Sequence, residues 1–516
     1  MEGNESVAHT WKYDRASDRI DAALKAVEEV EIAGYTRDLS LGDIPVWKAY
    51  RVQGVHLYAD IVNFDDMLQV TTEEGVTCHR RSLRFLNQHY RAVRRIFSAT
   101  DAKRVDFHNQ RLHALVAKPY GADEANEAAR IHHAVAIGQL MIDVLAETDD
   151  DDEQIPDAKL RIGIDSGEAL AVNNGRRGGR EPLFLGAPAN LAAKLAGKSK
   201  KVGIFLTNNA RAAIGLAEVD DPALTALTQA EVAASQEAAA LEVTKDQVIE
   251  DWREDLKDNP IGTFDFTRHT PPLRTMDIAA LTPANSRRQE AISVYADLDG
   301  FTGYVDRNIA DNAEDVVRAL HVLRSEMDQV LSSDFEGRRI RFIGDCIHGL
   351  MCEGTAHTTD EAASVSDATL CAGALRSGFK LALEKLDNAG VDTDGLGLQI
   401  GFDLGPIATT RLGMQGDRVR CSTGRAVRNS EREQMRCGEA EAAIGQAAYD
   451  AGTDAVRKLF GSTRKIADLD YNEAVEALSD EGDESARASK TQAFKAAAPA
   501  VMKSTTIEIK PHAEGR

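Results

Sequence analysis

The sequence predicts an α+β protein in which one fold occurs twice, with the two copies packed face to face about a pseudo-twofold axis. One observation is a run that repeats at a spacing of 237 residues, since Tyr58-Ala59-Asp60 returns as Tyr295-Ala296-Asp297. A second run repeats at a spacing of 238, since Ile162-Gly163-Ile164-Asp165 returns as Ile400-Gly401-Phe402-Asp403. Apolar residues at helical spacing recur as well: Leu83, Leu86, Tyr90 and Val93 are matched by Leu320, Leu323, Met327 and Val330. Motifs and core faces are therefore both duplicated.

Each copy is predicted to follow the order β-α-ββ-α-β-β-α. A short apolar strand precedes an amphipathic helix, a hairpin and a long Ala-rich helix, and a later strand leads through glycine-containing turns to a last helix. The predicted positions in the two copies are 55–62 and 292–298 for the first strand, 104–116 and 338–351 for the hairpin, 127–147 and 366–386 for the long helix, 160–164 and 398–402 for the later strand, and about 189 and 426 for the start of the last helix.

The repeat also predicts the domain organisation. We expect an N-terminal segment at 1–49, a first domain at 50–270, a linker at 271–289 and a second domain at 290–512. The linker region is rich in Thr, Pro, Arg and Ser.

Composition excludes several classes of function. A net charge of −22 argues against a broad basic surface for duplex nucleic acid, although a local cationic pocket for a small anion is compatible with it. There is no run of ~20 apolar residues and no N-terminal signal sequence, so we expect a cytoplasmic protein without membrane contact. The six cysteines form no CxxC pair and are expected to be reduced thiols.

Two carboxylates in the second copy suggest a metal site. Asp297 ends a predicted strand and precedes a turn at Gly300 and a helix, so it can hold a cation while backbone N–H groups face a phosphate. Asp345 follows Gly344 at the tip of the hairpin. Hard oxygen ligands from separate elements suit Mg²⁺ or Mn²⁺, because these ions complete their shells with substrate oxygens and water.

The first copy keeps a different set of residues. Asp60 is present, but Gln110 stands where the second copy has Asp345, so this half is not expected to hold two metal ions. Asn190 and Lys194 lie one turn apart on one face of the last helix. The second copy has Arg428 and Arg432 at those two positions.

These motifs resemble those of class III nucleotide cyclases with two cyclase homology domains in one chain. The resemblance rests on the strand end Asp297-Leu298-Asp299-Gly300-Phe301-Thr302, on Gly344-Asp345, on Ile162-Gly163-Ile164, and on Gly186 with Asn190 and Lys194, and it spans nearly all of residues 50–470. It implies two ferredoxin-like domains packed as a pseudo-heterodimer. It also implies cyclisation of a nucleoside triphosphate with release of pyrophosphate, catalysed with two Mn²⁺ or Mg²⁺ ions in one composite site.

The same resemblance implies roles for single residues. Asp297 and Asp345 would bind both metal ions, with the Leu298 carbonyl as a further ligand. Asn190 would orient the ribose, and Lys194 would replace the family's usual arginine at the α-phosphate, although a lysine lacks the guanidinium fork. Residues of the turn that follows the first metal carboxylate would contact the nucleotide: Gly300, Phe301 and Thr302. The pocket that pairs Asp60 with Arg428 is expected to be inactive.

The identity of the base depends on Asp106 and on a second position near Leu183. An acidic group accepts hydrogen bonds, so Asp106 disfavours adenine and suits the N3–H of uracil or the N1–H and amine of guanine; cytosine offers only its amine. The hairpin Arg341-Phe342-Ile343-Gly344-Asp345 resembles that of the pyrimidine cyclases of bacterial anti-phage (Pycsar) systems. On that resemblance UTP is the favoured substrate and cyclic UMP the product, which a separate effector would sense.

The sequence is also compatible with other functions. The chain could be an adenylate or guanylate cyclase in ordinary signalling, or a degenerate protein that binds nucleotides or acts as a scaffold. A monomer with an internal pseudo-dimer is expected. The matched His113 and His348 are interpreted as packing residues, and the loop with Arg176, Arg177 and Arg180 as mobile, with contact to the triphosphate as its alternative.

Overall fold

A computed structural model describes residues 9–36, 39–150, 154–173 and 182–497 of the chain, so Arg176, Arg177 and Arg180 lie outside the described residues. The chain forms two large mixed sheets with helices packed against them, which confirms the α+β class. All six cysteines are buried and free. Among the described residues, no helix has the length and apolar character needed to cross a membrane.

The first half of the chain supplies a seven-stranded sheet with the order β3-β4-β2-β5-β6, to which β1 adds beside β2 and β7 beside β5. Its elements are α1 Tyr13–Ala26, β1 Glu31–Gly34, β2 Lys48–Ile61, α2 Phe64–Leu68, α3 Val76–Thr100, β3 Lys103–His108, β4 Arg111–Val116, α4 Glu124–Leu145, β5 Leu160–Val172, β6 Leu183–Leu185, α5 Ala187–Gly197, β7 Gly203–Leu206, α6 Asn208–Ala213, α7 Gln229–Ala239 and α8 Lys245–Asp258.

The second half supplies an eight-stranded sheet with the order β10-β11-β9-β14-β16-β17, with β15 beside β14 and β8 beside β9. Its elements are β8 Phe266–Thr267, β9 Ser286–Asp299, α9 Phe301–Asn308, α10 Ala313–Gln329, β10 Arg338–Ile343, β11 Cys346–Met351, β12 Glu353–Gly354, β13 Thr359–Asp360, α11 Glu361–Asn388, β14 Gly397–Leu412, β15 Val419–Thr423, α12 Arg425–Met435, β16 Glu441–Ile444, α13 Gln446–Ala451, α14 Asp454–Phe460, β17 Lys465–Ala467, α15 Tyr471–Asp480 and α16 Glu484–Ala497.

The predicted order of elements is found in both halves, and the path hairpin–first strand–later strand is the same in the two sheets. The long strands β5 and β14 extend well beyond their predicted ends, because their outer parts pair with β6 and β15. In each sheet a short parallel strand, β7 or β16, is added after the last predicted helix. Such strands are only four residues long, which leaves little periodicity for a sequence to show.

The region between the halves differs from the proposed boundaries. Residues 273–285 form three short 3₁₀ turns, but β9 already begins at Ser286 and β8 joins the second sheet at Phe266. The N-terminal segment also divides between the halves. Strand β1 pairs with β2 of the first sheet, whereas α1 packs against α10 and α11 of the second half. Arg19 fixes that helix by donating to Glu326 and Asp334.

The repeated glycine of the Ile-Gly motif has a packing function. A Cβ at Gly163 would collide with the backbone carbonyl of Ala192 in α5, and a Cβ at Gly401 would collide with the backbone N of Gln434 in α12. Only glycine lets these helices approach β5 and β14 so closely. The last helix of each half is thereby held against the centre of its sheet.

The repeated aspartate of the same motif is buried and structural. Asp165 accepts a hydrogen bond from Thr207, which caps α6, and Asp403 accepts from the Ala448 backbone of α13 at 2.9 Å and from Asn429. Each aspartate thus joins the later strand to the helix that follows the added parallel strand. Burial raises the pKa of Asp165 to about 6 despite the hydrogen bond from Thr207.

Replacing Asp165 with asparagine should remove a pH-dependent part of stability. Because the pKa of Asp165 is higher in the folded than in the unfolded chain, the folded state retains this proton longer, so the group favours folding at low pH and loses that contribution as the pH rises from about 4 through about 6. The shift corresponds to about 3 kcal/mol in the free energy of unfolding. Urea unfolding from about pH 4.5 to about pH 7.5 should show a flatter pH profile for Asp165→Asn than for wild type. Asp454→Asn, at an exposed site, controls for net charge, and parallel profiles for wild type and Asp165→Asn would contradict the assignment.

Candidate active site

A cavity of about 960 Å³ lies between the two halves, and both sheets contribute to its wall. A volume of that size suits a small-molecule ligand such as a nucleotide. Most of the predicted site residues line it. From the first half these are Asp106, Leu183, Asn190 and Lys194, and from the second half Phe301, Thr302, Gly344 and Asp345.

The carboxylate side is built on adjacent strands of the second sheet. Asp297 lies near the end of β9, and Asp345 lies in the turn between β10 and β11, where Gly344 has φ +63 and thus the left-handed conformation that glycine adopts freely. Asp297 is half-buried, is not among the residues that line the cavity, and accepts a hydrogen bond from Gln434 Nε2 at 3.3 Å. Gln434 also donates to Gln399, and Gln399 to Asp299. This amide chain fixes the orientation of the Asp297 carboxylate.

Both carboxyl groups have raised pKa values. Burial, with repulsion from Asp345 and Asp299, raises the pKa of Asp297 well above its usual range, and burial raises the pKa of Asp345 to about 6. The two carboxyl groups are half-buried and repel each other, so a cation bound between them would favour ionisation of both. The donor set consists of hard oxygens, so Mg²⁺ or Mn²⁺ fits it.

The Leu298 carbonyl faces the same side of the strand as the hairpin. Leu298 pairs with Leu398 of β14, and the Leu398 amide donates to Glu439 O, away from β9. In a non-hydrogen-bonded antiparallel pair, the backbone N–H and C=O groups of both residues point away from the partner strand. The Leu298 carbonyl therefore points toward β11 and the turn that precedes it. The predicted carbonyl ligand therefore points to the region of Asp345, although the Leu298 side chain is buried.

Helix α5 of the first half lines the cavity as well. Gly186 precedes it with φ +121, Pro188 lies in its first turn, and Asn190 and Lys194 line the cavity from successive turns. Asn190 is half-buried and Lys194 is exposed. Lys198 extends the same cationic face of the cavity. An acidic protein thus presents a local positive group where phosphate oxygens can bind.

The turn before α9 closes the opposite side of the cavity. Gly300 has φ +72, and a Cβ there would collide with the Gly395 carbonyl. Gly300 itself does not line the cavity, whereas Phe301 and Thr302 do. Since α9 begins at Phe301, its first amide groups have no acceptor within the helix and can donate to an anion in the cavity.

Asp106, which lines the cavity from the first half, is held by an arginine from the second half. Arg341 Nη1 of β10 lies 3.3 Å from Asp106 Oδ1 and donates to the Phe107 carbonyl at 2.6 Å. The Arg341 side chain is 1% exposed, and that of Asp106 is 21% exposed. The guanidinium group therefore holds the Asp106 carboxyl group at the cavity wall in a fixed orientation.

An aromatic wall lies beside Asp106. The rings of Tyr58 and His113 stack at 3.9 Å, and His113 Nε2 is 3.0 Å from His56 Nδ1. Burial lowers the pKa of His113 well below its usual range, so the ring is neutral. Phe184 packs edge-on against both histidines. His113 and His348 do pack within strands as interpreted from the sequence, but His113 also faces the cavity.

In the second half, the counterparts of Asn190 and Lys194 are engaged in ion pairs. Arg428, at the position of Asn190, binds Asp65 through two contacts of 2.9 and 3.2 Å and also Glu431, and Arg432 lies 3.6 Å from Asp65. Burial raises the pKa of Asp60 to about 6, although Arg111 and Arg428 oppose the shift. Asp65 and Glu431 thus occupy the Arg428 guanidinium group, whereas Asp60 lines the same cavity as Asp345.

Sequence reasoning missed the supporting residues Gln399 and Gln434 and the cross-half contact of Arg341. The amides lie far from Asp297 in sequence, on strand β14 and helix α12, and only the fold brings them to it. For Arg341 a signal existed. It occupies the same hairpin position as Asp106, since both lie four residues before the tip residues Asp345 and Gln110.

The sequence matches the adenylate and guanylate cyclase catalytic domain family over residues 49–236. It is 60% identical over 506 residues to a uridylate cyclase of Pseudomonas aeruginosa, a match that covers 98% of each chain. It is 38% identical over 447 residues to a uridylate cyclase of a Rhizobium species, covering 83% of this chain and 84% of that one. The structure is similar to the crystal structure of a class III adenylyl cyclase-like ATP-binding protein from Pseudomonas aeruginosa, with a TM-score of 0.90 and 62% identity over 91% of this chain and 100% of that chain.

Proposed function

This chain belongs to the class III nucleotide cyclases, and from that premise we propose that it converts UTP into 3′,5′-cyclic UMP and pyrophosphate. The observation that carries the proposal is one cavity lined by Asp345 of the second half and by Asn190, Lys194 and Asp106 of the first. The relatives named uridylate cyclase support the choice of base, because they match most of the chain or nearly all of it.

We further propose that the two halves act as a pseudo-heterodimer with one productive site. Apolar residues at the outer ends of β14 and β15, Ala408, Leu412, Val419 and Cys421, pack into the core of the first half. Leu170, Val172 and Leu185 of β5 and β6 pack into the core of the second half. This reciprocal exchange supports a pairing in which each half completes the other.

In the proposed mechanism Asp297, Asp345 and the Leu298 carbonyl hold two divalent cations, Mn²⁺ or Mg²⁺. When bound, these ions lower the pKa of the ribose 3′-hydroxyl and neutralise charge on the triphosphate. Asn190 orients the ribose, and Lys194 supplies positive charge beside the α-phosphate, where negative charge develops as the 3′-oxygen attacks. The first amides of α9, at Phe301 and Thr302, bind phosphate oxygens. Positioning therefore accounts for most of the rate.

Asp106 reads the base in this proposal. Its carboxylate, oriented by Arg341, accepts the N3–H of uracil, and the rings of Tyr58, His113 and Phe184 form the adjoining wall. The N3 atom of cytosine and the N1 atom of adenine are acceptors and would face this carboxylate unfavourably.

Assay of the purified chain with each of the four NTPs and Mn²⁺ tests the proposal, with cyclic UMP expected as the main product. Asp106→Asn should lower kcat/KM for UTP by about 10- to 100-fold, the value of a hydrogen bond to a charged group. The ratio of CTP to UTP turnover should rise, because an amide can donate to cytosine N3. Main formation of cyclic AMP or cyclic GMP by the wild-type chain would refute the UTP assignment.

We also propose that cyclic UMP is a signal in anti-phage defence and that a separate protein senses it. The support is the resemblance of the Arg341–Asp345 hairpin to those of pyrimidine cyclases in such systems. An adjacent gene for a cyclic-nucleotide-binding effector, and loss of phage protection on Asp345→Asn, are the expected findings.

A further inference from the structure

A cluster of one histidine and three carboxylates, none of which lines the cavity, lies where the start of the described chain meets the second half. His9 Nδ1 is 3.1 Å from Asp367 Oδ2 of α11, and His9 Nε2 is 3.7 Å from Glu353 Oε1 of β12. Glu336, which precedes β10, lies 3.9 Å from His9 Nε2 and is also bound by Arg274 at 3.0 Å. Three carboxylates of the second half thus converge on one imidazole from the start of the described chain.

The buried carboxylate of the cluster is only partly satisfied. The Asp367 side chain is 6% exposed, and its Oδ1 atom has no hydrogen-bond partner. The His9 Nδ1 atom and the Asp367 carboxylate lie close together but without the alignment of a hydrogen bond. Neighbouring ligand atoms around one metal ion have this relation, since each is directed at the ion and they stand about 3 Å apart.

The backbone of His9 is fixed independently of its side chain. Its N–H donates to the Asp334 carbonyl at 2.6 Å, and its carbonyl accepts from Ser489 Oγ at 2.9 Å. Its φ of +62 is unusual for a residue other than glycine. The imidazole is therefore held beside Asp367 and Glu353 rather than meeting them by chance on a free terminus.

We propose that His9, Asp367 and Glu353 form a binding site for a divalent transition metal ion of the zinc type, which fastens the start of α1 to the second half. One ligand atom from each residue lies within 4.8 Å of the others, close enough for a single ion to bridge them with small side-chain movements. A neutral imidazole with two carboxylates is a donor set that Zn²⁺ accepts, with water completing the shell. The neighbouring carboxylates raise the pKa of His9 to about 9 although burial opposes them, so the ion must displace a proton when it binds.

The site is separate from the catalytic ions, so the experiment uses a chain that lacks both catalytic carboxylates. Untagged Asp297→Asn/Asp345→Asn protein, stripped of metal, is titrated with Zn²⁺ by calorimetry. Bound zinc is counted by mass spectrometry after gel filtration. We expect one Zn²⁺ per chain and a higher unfolding temperature with Zn²⁺ than without it.

Two further changes in that background locate the ion. His9→Gln and Asp367→Asn should each weaken Zn²⁺ binding at least about tenfold and abolish the thermal shift. His357→Gln, which removes an exposed histidine from the nearby β12–β13 turn, should change neither. Circular dichroism without metal verifies that each variant is folded, and if one is not, the other carries the test. Absence of stoichiometric Zn²⁺, or binding unaffected by the folded variant, overturns the proposal and leaves the cluster an ion pair of protonated His9.

Discussion

Asp345→Asn is expected to lower the rate of cyclic nucleotide formation by at least about 10³-fold, whereas Asp60→Asn leaves most of the activity. In the proposed mechanism Asp345, which lines the cavity, and the half-buried Asp297 together hold the catalytic cations, and loss of one of the two charges costs several kcal/mol in the transition state. Asp60 occupies the repeat position of Asp297, but its partner there is the neutral Gln110. The measurement is cyclic nucleotide produced per minute at saturating Mn²⁺.

Asp60→Asn is the control, because it makes the same change from aspartate to asparagine at the first-half counterpart of Asp297. Equal losses from the two substitutions would contradict a division of roles between the halves. Retained activity in Asp345→Asn would show instead that the hairpin carboxylate does not hold a metal ion. Unfolding midpoints of both variants separate loss of activity from loss of fold.

Arg341→Met is expected to destabilise the chain by about 1.5–3 kcal/mol, the cost of losing hydrogen bonds that a buried charged group donates. The arginine is 1% exposed, crosses between the halves, and donates to the Phe107 carbonyl while pairing with Asp106. Methionine fills the volume but leaves the carbonyl and the carboxylate without that donor. Urea unfolding followed by circular dichroism should show the lower midpoint.

The position of this pair offers a sharper test. Asp106 and Arg341 stand at the same place in two copies of one hairpin, and their side chains contact each other between the halves. Two residues of the same charge would repel each other at this contact, whereas residues of opposite charge favour the pairing of two unlike halves. The exchange Asp106→Arg/Arg341→Asp should therefore recover much of the stability lost in Arg341→Met.

That exchanged variant should nevertheless turn over UTP slowly, because the carboxylate that faces the base now lies on the other hairpin. Stability and base recognition are thereby separated in one protein. Full UTP activity in the exchanged variant would remove Asp106 from base recognition. An unchanged unfolding midpoint in Arg341→Met would show that the buried pair contributes nothing to stability.

The duplicated α+β fold could be predicted because its signals are local and occur twice. Gly163 and Gly401 mark the same close approach of helix to strand, and the apolar spacing of α3 and α10 is visible in each copy. The sequence did not predict the short strands β7 and β16, nor the division of the N-terminal segment between the halves. Both depend on pairing partners distant in sequence rather than on periodicity.

By itself the sequence determined which residue types each copy retains: Asp297 and Asp345 in one, Asn190, Lys194 and Asp106 in the other. Only the tertiary structure decided which of them meet. It brings Asp345 and Lys194 to one cavity. It also pairs Arg428 with Asp65, and Arg341 with Asp106. The physical reason is that contacts between halves depend on how two folded surfaces pack, and no spacing along one chain encodes the distance between residues of separate sheets.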